Sequence, residues 1–398
     1  GTRFYDKSKL YHIAGEKIFR PDFTDEVRIG GNMRWYLPNS DGTIFSDSLY
    51  WVNEGLDSVL VRNKIVNREF GVYAGVEEKM VEDRLILNAT VRMDKNQNFD
   101  PIFTPAASAV FNVKGDRYLR ASFSSGVRNP TLTDQYLHLD VGPAILSGNL
   151  NGADSLITLG SFYNYRSTLD PDTVEYFNID PIRPEQARTI ELGFRGSIKN
   201  KLFVDVSGYM TWYRDFIGYN IGIDATFDPG TGLPEDIQVY RYSANSASRV
   251  RTSGVGVGLN YYLTDHLVAT GNYNWNKLLK TDESDPIIPA FNTPQHKFNI
   301  GLTGRDYALG NRGVNKLGFA VYYKWIQGFL FEGSPQFTGF VPTYDLTDAQ
   351  VNITVAEINC NFKLGCSNLL NNRSIQTYGG PEIGRMAYFA VVYELVNL

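Results

Sequence analysis

Apolar and polar residues alternate along much of the chain, over segments of about ten to fifteen residues that often end in aromatic side chains. In residues 201–214, Val204 and Met210 share one parity, whereas Asp205 and Thr211 share the other. Successive side chains of a β-strand leave opposite faces of the sheet, so this pattern predicts strands with one apolar and one polar face.

The length of these segments favours a membrane protein over a soluble sandwich. Ordinary strands average about five or six residues, whereas tilted strands that cross a bilayer need roughly nine to eleven. The apolar runs all fall short of the roughly 18 residues that a transmembrane helix requires. We therefore predict an all-β fold, a transmembrane antiparallel β-barrel.

The links between segments give each strand a direction. Tight turns are predicted at Gly115-Asp116, Lys199-Asn200 and Thr264-Asp265, and they largely alternate with long polar links. Outer-membrane barrels have short periplasmic turns and long extracellular loops, so the last strand, ending near Leu395, should run toward the periplasm. The long links lie near residues 126–186, 215–237, 279–295, 329–342 and 370–385.

About 14 strands are predicted in this way. Residues 1–26 show no sustained period, and we expect them to form an extracellular loop. The strands are expected near residues 27–36, 64–80, 85–94, 103–113, 117–125, 187–197, 201–214, 238–262, 267–278, 296–306, 314–328, 344–356, 359–369 and 386–396.

Composition excludes several functional classes. The chain of 398 residues is 43% apolar and 14% aromatic, and its net charge of -5 with no Lys/Arg-rich run argues against nucleic-acid binding. The two cysteines, Cys360 and Cys366, lie on one predicted strand roughly 20 Å apart, which is too far for a disulfide. They share parity with Phe362 and Leu364, so we expect both thiols on the lipid face as inert apolar groups.

Few residues suit catalysis or metal binding. Of the 4 histidines, only His138, near Asp134 and Asp140, is placed where an extracellular acid/base pair could work. No G-x-S-x-G, HExxH or P-loop motif occurs, so we expect neither an enzyme nor a cofactor. Surface carboxylates are usually solvated, and we predict no metal site from the loop acids that could offer oxygen ligands to Ca²⁺, namely Asp170, Asp172, Asp224, Asp228, Glu235 and Asp236.

Three segments stand out along the chain: "GVRNPTLTDQY" (Gly126–Tyr136), "IRPEQARTIELGF" (Ile182–Phe194) and "LGCSNLLNN" (Leu364–Asn372). They resemble motifs of TonB-dependent outer-membrane transporters and occur in the order of that family. Residues 291–302 and 379–395 further resemble the versions common in Bacteroidota, and the likeness runs from about Lys64 to the C-terminus. Within these motifs a structural role at strand ends, loop exits and lumen ion pairs is expected for Arg128, Pro130, Pro184, Glu185, Glu191 and Asn368.

The resemblance implies a larger protein. The family closes about 22 strands around an N-terminal plug that carries the TonB-binding segment. We see neither the plug nor the earliest strands, and therefore expect residues 1–398 to be the C-terminal barrel portion of a receptor whose export signal lies upstream. Family members end on an aromatic residue; here Tyr393 and Leu395 are followed by Val396, Asn397 and Leu398, so the insertion signal is displaced.

The function implied is uptake of an extracellular ligand, a siderophore, glycan or peptide, driven by TonB. The expected partners are TonB, through the missing plug segment, membrane lipid and lipopolysaccharide, and an extracellular small ligand or oligomer; a surface lipoprotein is a further candidate. Long loops on rigid scaffolds carry binding, so the link 126–186 is the leading candidate for ligand contact. Its stacking and cationic side chains are Tyr136, Phe162, Tyr163, Tyr165, Arg166, Tyr176 and Phe177.

Two other functions stay open. A complete 14-strand barrel could be a passive diffusion channel, and a receptor-like barrel could be a scaffold in a surface lipoprotein complex. A SusC-type importer would require a lid lipoprotein, but the strand Tyr344–Ile353 looks more like the ordinary receptor branch, so no obligate lid is expected.

The mass of the native protein separates the transporter from the passive channel. We predict a mass far above the 44.8 kDa of this chain, because the receptor needs a plug and further strands. Mass spectrometry of the intact protein from its own membrane measures this, and a value near 44.8 kDa would favour the channel.

Overall fold

The computed structural model describes residues 4–54, 57–280, 291–310, 315–332 and 338–394. The predicted links 279–295 and 329–342 lie partly outside these ranges, and Val396–Leu398 lie wholly outside them. Fifteen strands form one sheet in which each strand pairs antiparallel with the next. In chain order they are β1 Lys9–Phe19, β2 Glu26–Leu37, β3 Asn67–Met80, β4 Leu85–Asn96, β5 Ile102–Lys114, β6 Arg117–Arg128, β7 Glu185–Ile198, β8 Leu202–Arg214, β9 Val250–Tyr262, β10 Leu267–Lys280, β11 His296–Leu309, β12 Asn315–Ile326, β13 Tyr344–Val355, β14 Cys360–Ser367 and β15 Met386–Tyr393.

The expectation that residues 1–26 form a loop is wrong. Residues 9–19 form β1, which pairs with β2 in an unbroken register from Lys9 opposite Leu37 to Phe19 opposite Val27. Every residue of β1 is exposed on both faces, and each face mixes charged with apolar side chains. The strand therefore carries no clear period of two, although its backbone pairs regularly.

The single strand predicted over 238–262 is also wrong. The strand is interrupted between Asn245 and Val250 by a turn, in which the Ser246 hydroxyl donates to the Ser248 carbonyl at 3.1 Å. Residues before the break form the strand Pro234–Asn245 of a separate sheet, and residues after it form β9. Alternation continues on both sides of this short polar turn, so periodicity alone does not reveal it.

The two faces of the main sheet differ as the alternation predicts. One face exposes large apolar side chains, among them Leu192, Ile300 and Leu364. The other face carries ion pairs such as Arg120 to Asp205 at 2.8 Å. A contiguous apolar outer face of this kind requires lipid, because soluble proteins rarely expose large apolar patches. Cys360 and Cys366 are half-buried on the same parity as Leu364.

The links at the two ends of the sheet differ in length. At one end, tight turns join successive strands, and Lys199 and Asn200 both have φ near +50°, as a two-residue hairpin turn requires. At the other end lie the long links, except for the short connection 97–101 between β4 and β5. Among the described residues β1 and β15 do not pair with each other, so the sheet is open.

Two long links fold together into a second sheet, the loop sheet, which lies at the long-link end. Residues 129–184 and 215–249 contribute six strands, in the spatial order Tyr176–Ile179, Ala153–Ile157, Ile217–Phe227, Pro234–Asn245, Ile145–Ser147 and His138–Asp140. The other elements are helices α1 Leu132–Tyr136 and α2 Leu159–Thr168, 3₁₀ turns Pro171–Thr173 and Ala356–Ile358, and hairpins Leu49–Glu54 with Asp57–Arg62, Phe329–Glu332 with Thr338–Val341, and Ser374–Ile375 with Glu382–Ile383.

The loop sheet has its own apolar core. Ile157 and Ile223 are opposite each other on neighbouring strands and are almost fully buried. Tyr165 of α2 is buried at 2% exposure, lies edge-on to the Phe227 ring at 5.0 Å, and donates to the Gly232 carbonyl at 2.8 Å. The two links are therefore one packed unit. None of the helices in the described part of the chain is long and apolar enough to cross a membrane.

We predict that Leu192→Arg destabilises the folded barrel by about 2–4 kcal/mol, because it places a charge near the middle of the lipid-facing surface. Ser122→Arg is the matched control, since Ser122 lies on the inner face opposite Glu191, whose carboxylate can pair with the new guanidinium. Denaturant unfolding of the receptor in lipid vesicles measures both. Equal losses for the two variants would contradict the assignment of faces.

A candidate ligand-binding site between the loop sheet and the inner wall

Helix α1 begins shortly after β6, beyond residues 129–131, and directs the first turn of the long link toward the inner wall. Thr131 starts the helix with a capping box: its hydroxyl accepts from the Asp134 amide at 3.1 Å, and the Asp134 carboxylate accepts from the Thr131 amide at 2.8 Å. These bonds satisfy amide groups that a helix start leaves unpaired. They fix the direction of a helix too short to be stable alone.

Gln135 attaches α1 to the wall. Its side chain is 4% exposed, and its carbonyl oxygen accepts from Asn67 Nδ2 at 3.1 Å and from Asn98 Nδ2 at 2.7 Å. Its amide nitrogen donates to the Pro130 carbonyl at 2.6 Å. Buried amides of this kind cost free energy when a partner is removed, so Gln135 fixes α1 against β3 and the link after β4.

Glu69 joins the wall to the loop in a similar way. One carboxylate oxygen accepts from Asn96 Nδ2 at 2.9 Å and from Asn129 Nδ2 at 3.1 Å. The other oxygen accepts from the Tyr36 hydroxyl at 3.3 Å. The carboxylate therefore connects β2, β3, β4 and the first residue after β6.

A cavity of ≈ 530 Å³ lies between these two attachments. On its wall side, Arg92 forms an ion pair with Asp94 at 2.6 Å and donates to Asn32 Oδ1 at 2.7 Å. Arg34 lines the same cavity and is exposed. Ligand sites are typically about 300–1,000 Å³ and offer a few convergent polar groups, so the cavity has the size and chemistry of a small-molecule site.

The seven residues of the long link that were expected to touch ligand are not brought together. Tyr165 and Phe177 lie in the loop-sheet core, and Phe162 is half-buried against the Tyr165 ring at 5.6 Å. Tyr163 and Tyr176 are 65% and 57% exposed. Arg166 is exposed as well.

Tyr136 has a different environment from the other six. Its hydroxyl accepts from Asn98 Nδ2 at 2.6 Å, and burial raises the pKa of the Tyr136 phenol. Its backbone carbonyl accepts from the Ser46 amide at 2.9 Å, next to the bridge between Phe45 and Leu137. Tyr136 therefore holds the link after β2 against the link after β6.

The motif residues lie at strand ends and on the inner wall. Glu185 pairs with Arg128 at 3.1 Å and accepts from the Ile217 amide at 2.9 Å, which ties the two long links together where they leave the barrel. Pro130 and Pro184 are buried beside these residues. Glu191 lies on the inner face, 3.8 Å from Arg120.

Asn368, the remaining motif residue, shapes the chain immediately after β14. It is 4% exposed, has φ of +52°, and bonds both ways with the Asn372 backbone at 2.9 Å. Its own amide donates to Asp348 Oδ1 at 2.9 Å. Asparagine tolerates this left-handed conformation better than most residues.

The acidic side chains of the loops mostly bind their own backbone. Asp134 caps α1 and also accepts from the Ser243 hydroxyl at 3.1 Å, while Asp140 accepts from the Gly142 amide at 2.7 Å. The hydroxyl and amide of Thr231 hold the pKa of Asp228 below its usual value. Within the described ranges no three His, Cys, Asp or Glu side chains are placed to share a metal ion.

The patterns in the sequence did not predict the residues that line the wall side of the cavity. Arg34, Glu69, Arg92 and Gln135 were not among the predicted site residues. Three of them have inward parity on β2, β3 and β4 near the long-link end, which is the signal that could have found them. Their closeness to α1 depends on how the long link folds back, and that is a tertiary property.

Comparison with known proteins agrees with this architecture. The family described as "TonB dependent receptor-like, beta-barrel" matches residues 2–369. The chain belongs to this family. It is therefore an outer-membrane β-barrel of the kind found in Gram-negative bacteria, as predicted. No curated protein sequence matches it.

Solved receptors share the fold at low sequence identity. The siderophore receptor PirA from Acinetobacter baumannii aligns with a TM-score of 0.59 at 13% identity, over 96% of this chain and 54% of its own. A point mutant of the ferric enterobactin receptor PfeA from Pseudomonas aeruginosa gives 0.65 at 14%, over 96% and 54%. The FrpB iron transporter from Neisseria meningitidis gives 0.62 at 13%, over 97% and 55%. The chain thus spans about half the length of these proteins.

We predict that Gln135→Leu releases α1 from the wall at a cost of about 1–3 kcal/mol, because Asn67 and Asn98 lose a buried acceptor. Limited proteolysis should then cut residues 129–150 faster while the barrel stays folded. Asp172→Asn, an exposed change in the same link, is the control. Unchanged cleavage in Gln135→Leu would show that this amide does not hold the loop.

Proposed function

We propose that this chain is the barrel of an active transporter that binds an extracellular ligand and passes it to the periplasm with energy coupled through TonB. Family membership supports this proposal. The observation that carries it is the polar cavity between α1 and the inner wall, at the long-link end of the sheet. A ligand held there would lie beneath the loop sheet and at the entrance to the lumen.

The open sheet supports the larger receptor rather than a self-closing channel. A bilayer cannot satisfy unpaired backbone groups, so strands that span it must be paired on both edges. A 14-strand channel would need its first and last strands to pair, whereas among the described residues β1 and β15 end the sheet on opposite sides. We propose that these residues form part of a barrel of about 22 strands with a plug.

For the ligand we favour a metal-chelating siderophore over a glycan or a peptide. The similar structures are described as a siderophore receptor, a ferric enterobactin receptor and an iron transporter. In this chain, Arg34 gives the cavity a guanidinium that forms no ion pair with a described carboxylate, and Tyr163 and Tyr176 offer exposed rings on the loop sheet. Guanidinium and aromatic groups together suit an anionic aromatic chelate.

The partners follow from the same proposal. TonB would bind a segment of the plug, and no enzymatic step is required. We propose a receptor of the Bacteroidota type without an obligate lid lipoprotein. Purification of the receptor with its natural partners tests the last point, since a lipoprotein present in equal amount would favour the scaffold or SusC-type alternative.

We predict that cells carrying the full-length receptor take up a ferric siderophore and that collapsing the proton gradient stops this uptake. The measurement is accumulation of radiolabelled iron in cells with and without the receptor gene, tested against labelled oligosaccharides and peptides. Uptake that continues without the gradient would indicate a passive channel. Gradient-dependent uptake of oligosaccharide or peptide, without uptake of siderophore, would support the active transporter but contradict the proposed ligand.

Within the same proposal, Arg34→Gln should weaken siderophore binding about tenfold, the loss typical of one hydrogen bond to a charged group. Arg28→Gln is the matched control, because Arg28 lies on the same strand but pairs with Glu26 at the opposite end. Titration of the purified receptor gives both affinities. If the control weakens binding as much as Arg34→Gln, the cavity is not the site.

A further inference from the structure

A cluster of basic side chains lies on the outer, lipid-facing side of β7, β8 and β9, close to the long-link end. The strand register places Arg188 opposite Trp212 and Trp212 opposite Arg251, in one row across the three strands. Arg214 lies opposite Gln186, in the row of the same face that is two residues nearer the long-link end. Arg249 immediately precedes β9 on the same side.

The outward direction of these side chains follows from their parity. Arg188 shares its face with Ile190 and Leu192, which are exposed apolar side chains. The alternate residue Glu191 lies 3.8 Å from Arg120, on the inner face. Arg214 and Trp212 likewise share a face with the exposed Met210.

The height of the cluster matches the border of the membrane. Leu192 lies near the middle of β7, and four residues separate it from Arg188. At about 3.3 Å per residue and a tilt of about 40°, Arg188 lies roughly 10 Å above Leu192, and Gln186 roughly 15 Å. The apolar band of such barrels is about 25 Å tall, or about 12.5 Å on either side of its middle. Arg214, opposite Gln186, therefore lies at the level of the lipid headgroups, and the long side chain of Arg188 can extend to that level.

The cluster encloses a shallow cavity of ≈ 370 Å³. Its lining combines cations with an amide and three aromatic residues: Phe123, Gln186, Arg188, Trp212, Tyr213, Arg214 and Arg249. Phe123 lies opposite Ile190, below the cations, so the lower part of the cavity is apolar and the upper part is positively charged.

These cations differ from those of the inner wall. Inside the barrel, Arg92 pairs with Asp94 and Arg120 with Asp205. Outside, neither Arg188 nor Arg214 forms an ion pair with any carboxylate of the described residues. Near the long-link end of β11 and β12, the outer face instead carries the stacked rings of Phe298 and Trp325 at 5.5 Å. The outer face of β7–β9 therefore carries positive charge, whereas that of β11 and β12 carries aromatic rings.

We propose that this sector binds a phosphorylated glycolipid of the outer leaflet, of the lipopolysaccharide type. Its phosphate groups would be held by Arg188, Arg214 and Arg249, because guanidinium groups bind phosphate oxygens in pairs. Trp212 and Phe123 would contact the sugar and the first methylenes of the acyl chains. The site is independent of the transported ligand, since it faces away from the lumen.

The test uses the purified full-length receptor in detergent and a triple variant, Arg188→Gln/Arg214→Gln/Arg249→Gln. Each cation at the headgroup level is worth roughly fivefold in affinity, so the triple variant should bind the phosphorylated glycolipid about 100-fold more weakly. Lys114→Gln/Lys199→Gln/Lys201→Gln removes the same charge at the turn end and should bind like the unaltered receptor. Native mass spectrometry with added glycolipid counts the bound molecules.

Two further probes identify the chemistry. Enzymatic removal of the glycolipid phosphates should weaken binding to the unaltered receptor as much as the triple substitution does. Inorganic phosphate alone should bind far more weakly than the glycolipid. If the triple variant does not fold, Arg214→Gln alone should still lose about fivefold.

Several results would overturn the assignment. Equal binding by the triple variant and the unaltered receptor would exclude these arginines. Equal loss in the turn-end control would mean that only overall charge matters. Undiminished binding of the dephosphorylated lipid, or inorganic phosphate binding as tightly as the glycolipid, would exclude recognition of a lipid-borne phosphate.

Discussion

Backbone hydrogen bonding is the constraint on which the rest of this structure depends. A bilayer offers no water to unpaired amide and carbonyl groups, so a chain that crosses it with strands must pair each strand along its length. In this protein, every strand of the main sheet pairs with its neighbours in the sequence. The order of these strands in space is therefore their order in the chain, with tight turns at one end alternating with mostly long links at the other.

Given that pairing, alternation of side chains assigns each residue to lipid or to the lumen. The outer face has to be apolar, whereas the inner face can carry charges provided that they are compensated. Ion pairs such as Arg120 with Asp205 compensate charge on the inner wall. The outward arginines of β7–β9 depart from this rule, since Arg188 and Arg214 lie on the same face as the exposed apolar Leu192 and Met210.

The long links lie outside the bilayer, so their backbone groups do not have to pair along one continuous sheet. They fold into a sheet with an apolar core and are fastened to the barrel by a few polar groups, chiefly the buried Gln135 and Glu185 and the half-buried Glu69. The cavity lies between these attachments. Its position thus results from where the loop is tied to the wall, and not from any local motif.

This division explains what the sequence could predict. Strands with a clear apolar face, such as β7 and β8, were predicted within a few residues, and the family motifs identified the fold. Strand β1 was missed because both of its faces are mixed, and the break before β9 was missed because alternation continues across it. The loop sheet could not be predicted, since the pairing of Ile145–Ser147 with Pro234–Asn245 joins segments far apart in the chain.

The central claim is that one face of each strand meets lipid and the other meets a watery lumen. Spin labels placed singly at residues 187–197 of β7, in the full-length receptor reconstituted into vesicles, test it most directly. The account predicts that accessibility to oxygen and to a water-soluble nickel complex alternates with a period of two and in opposite phase, with oxygen highest at the even positions. Accessibility without that period, or nickel access equal on both faces, would contradict the account.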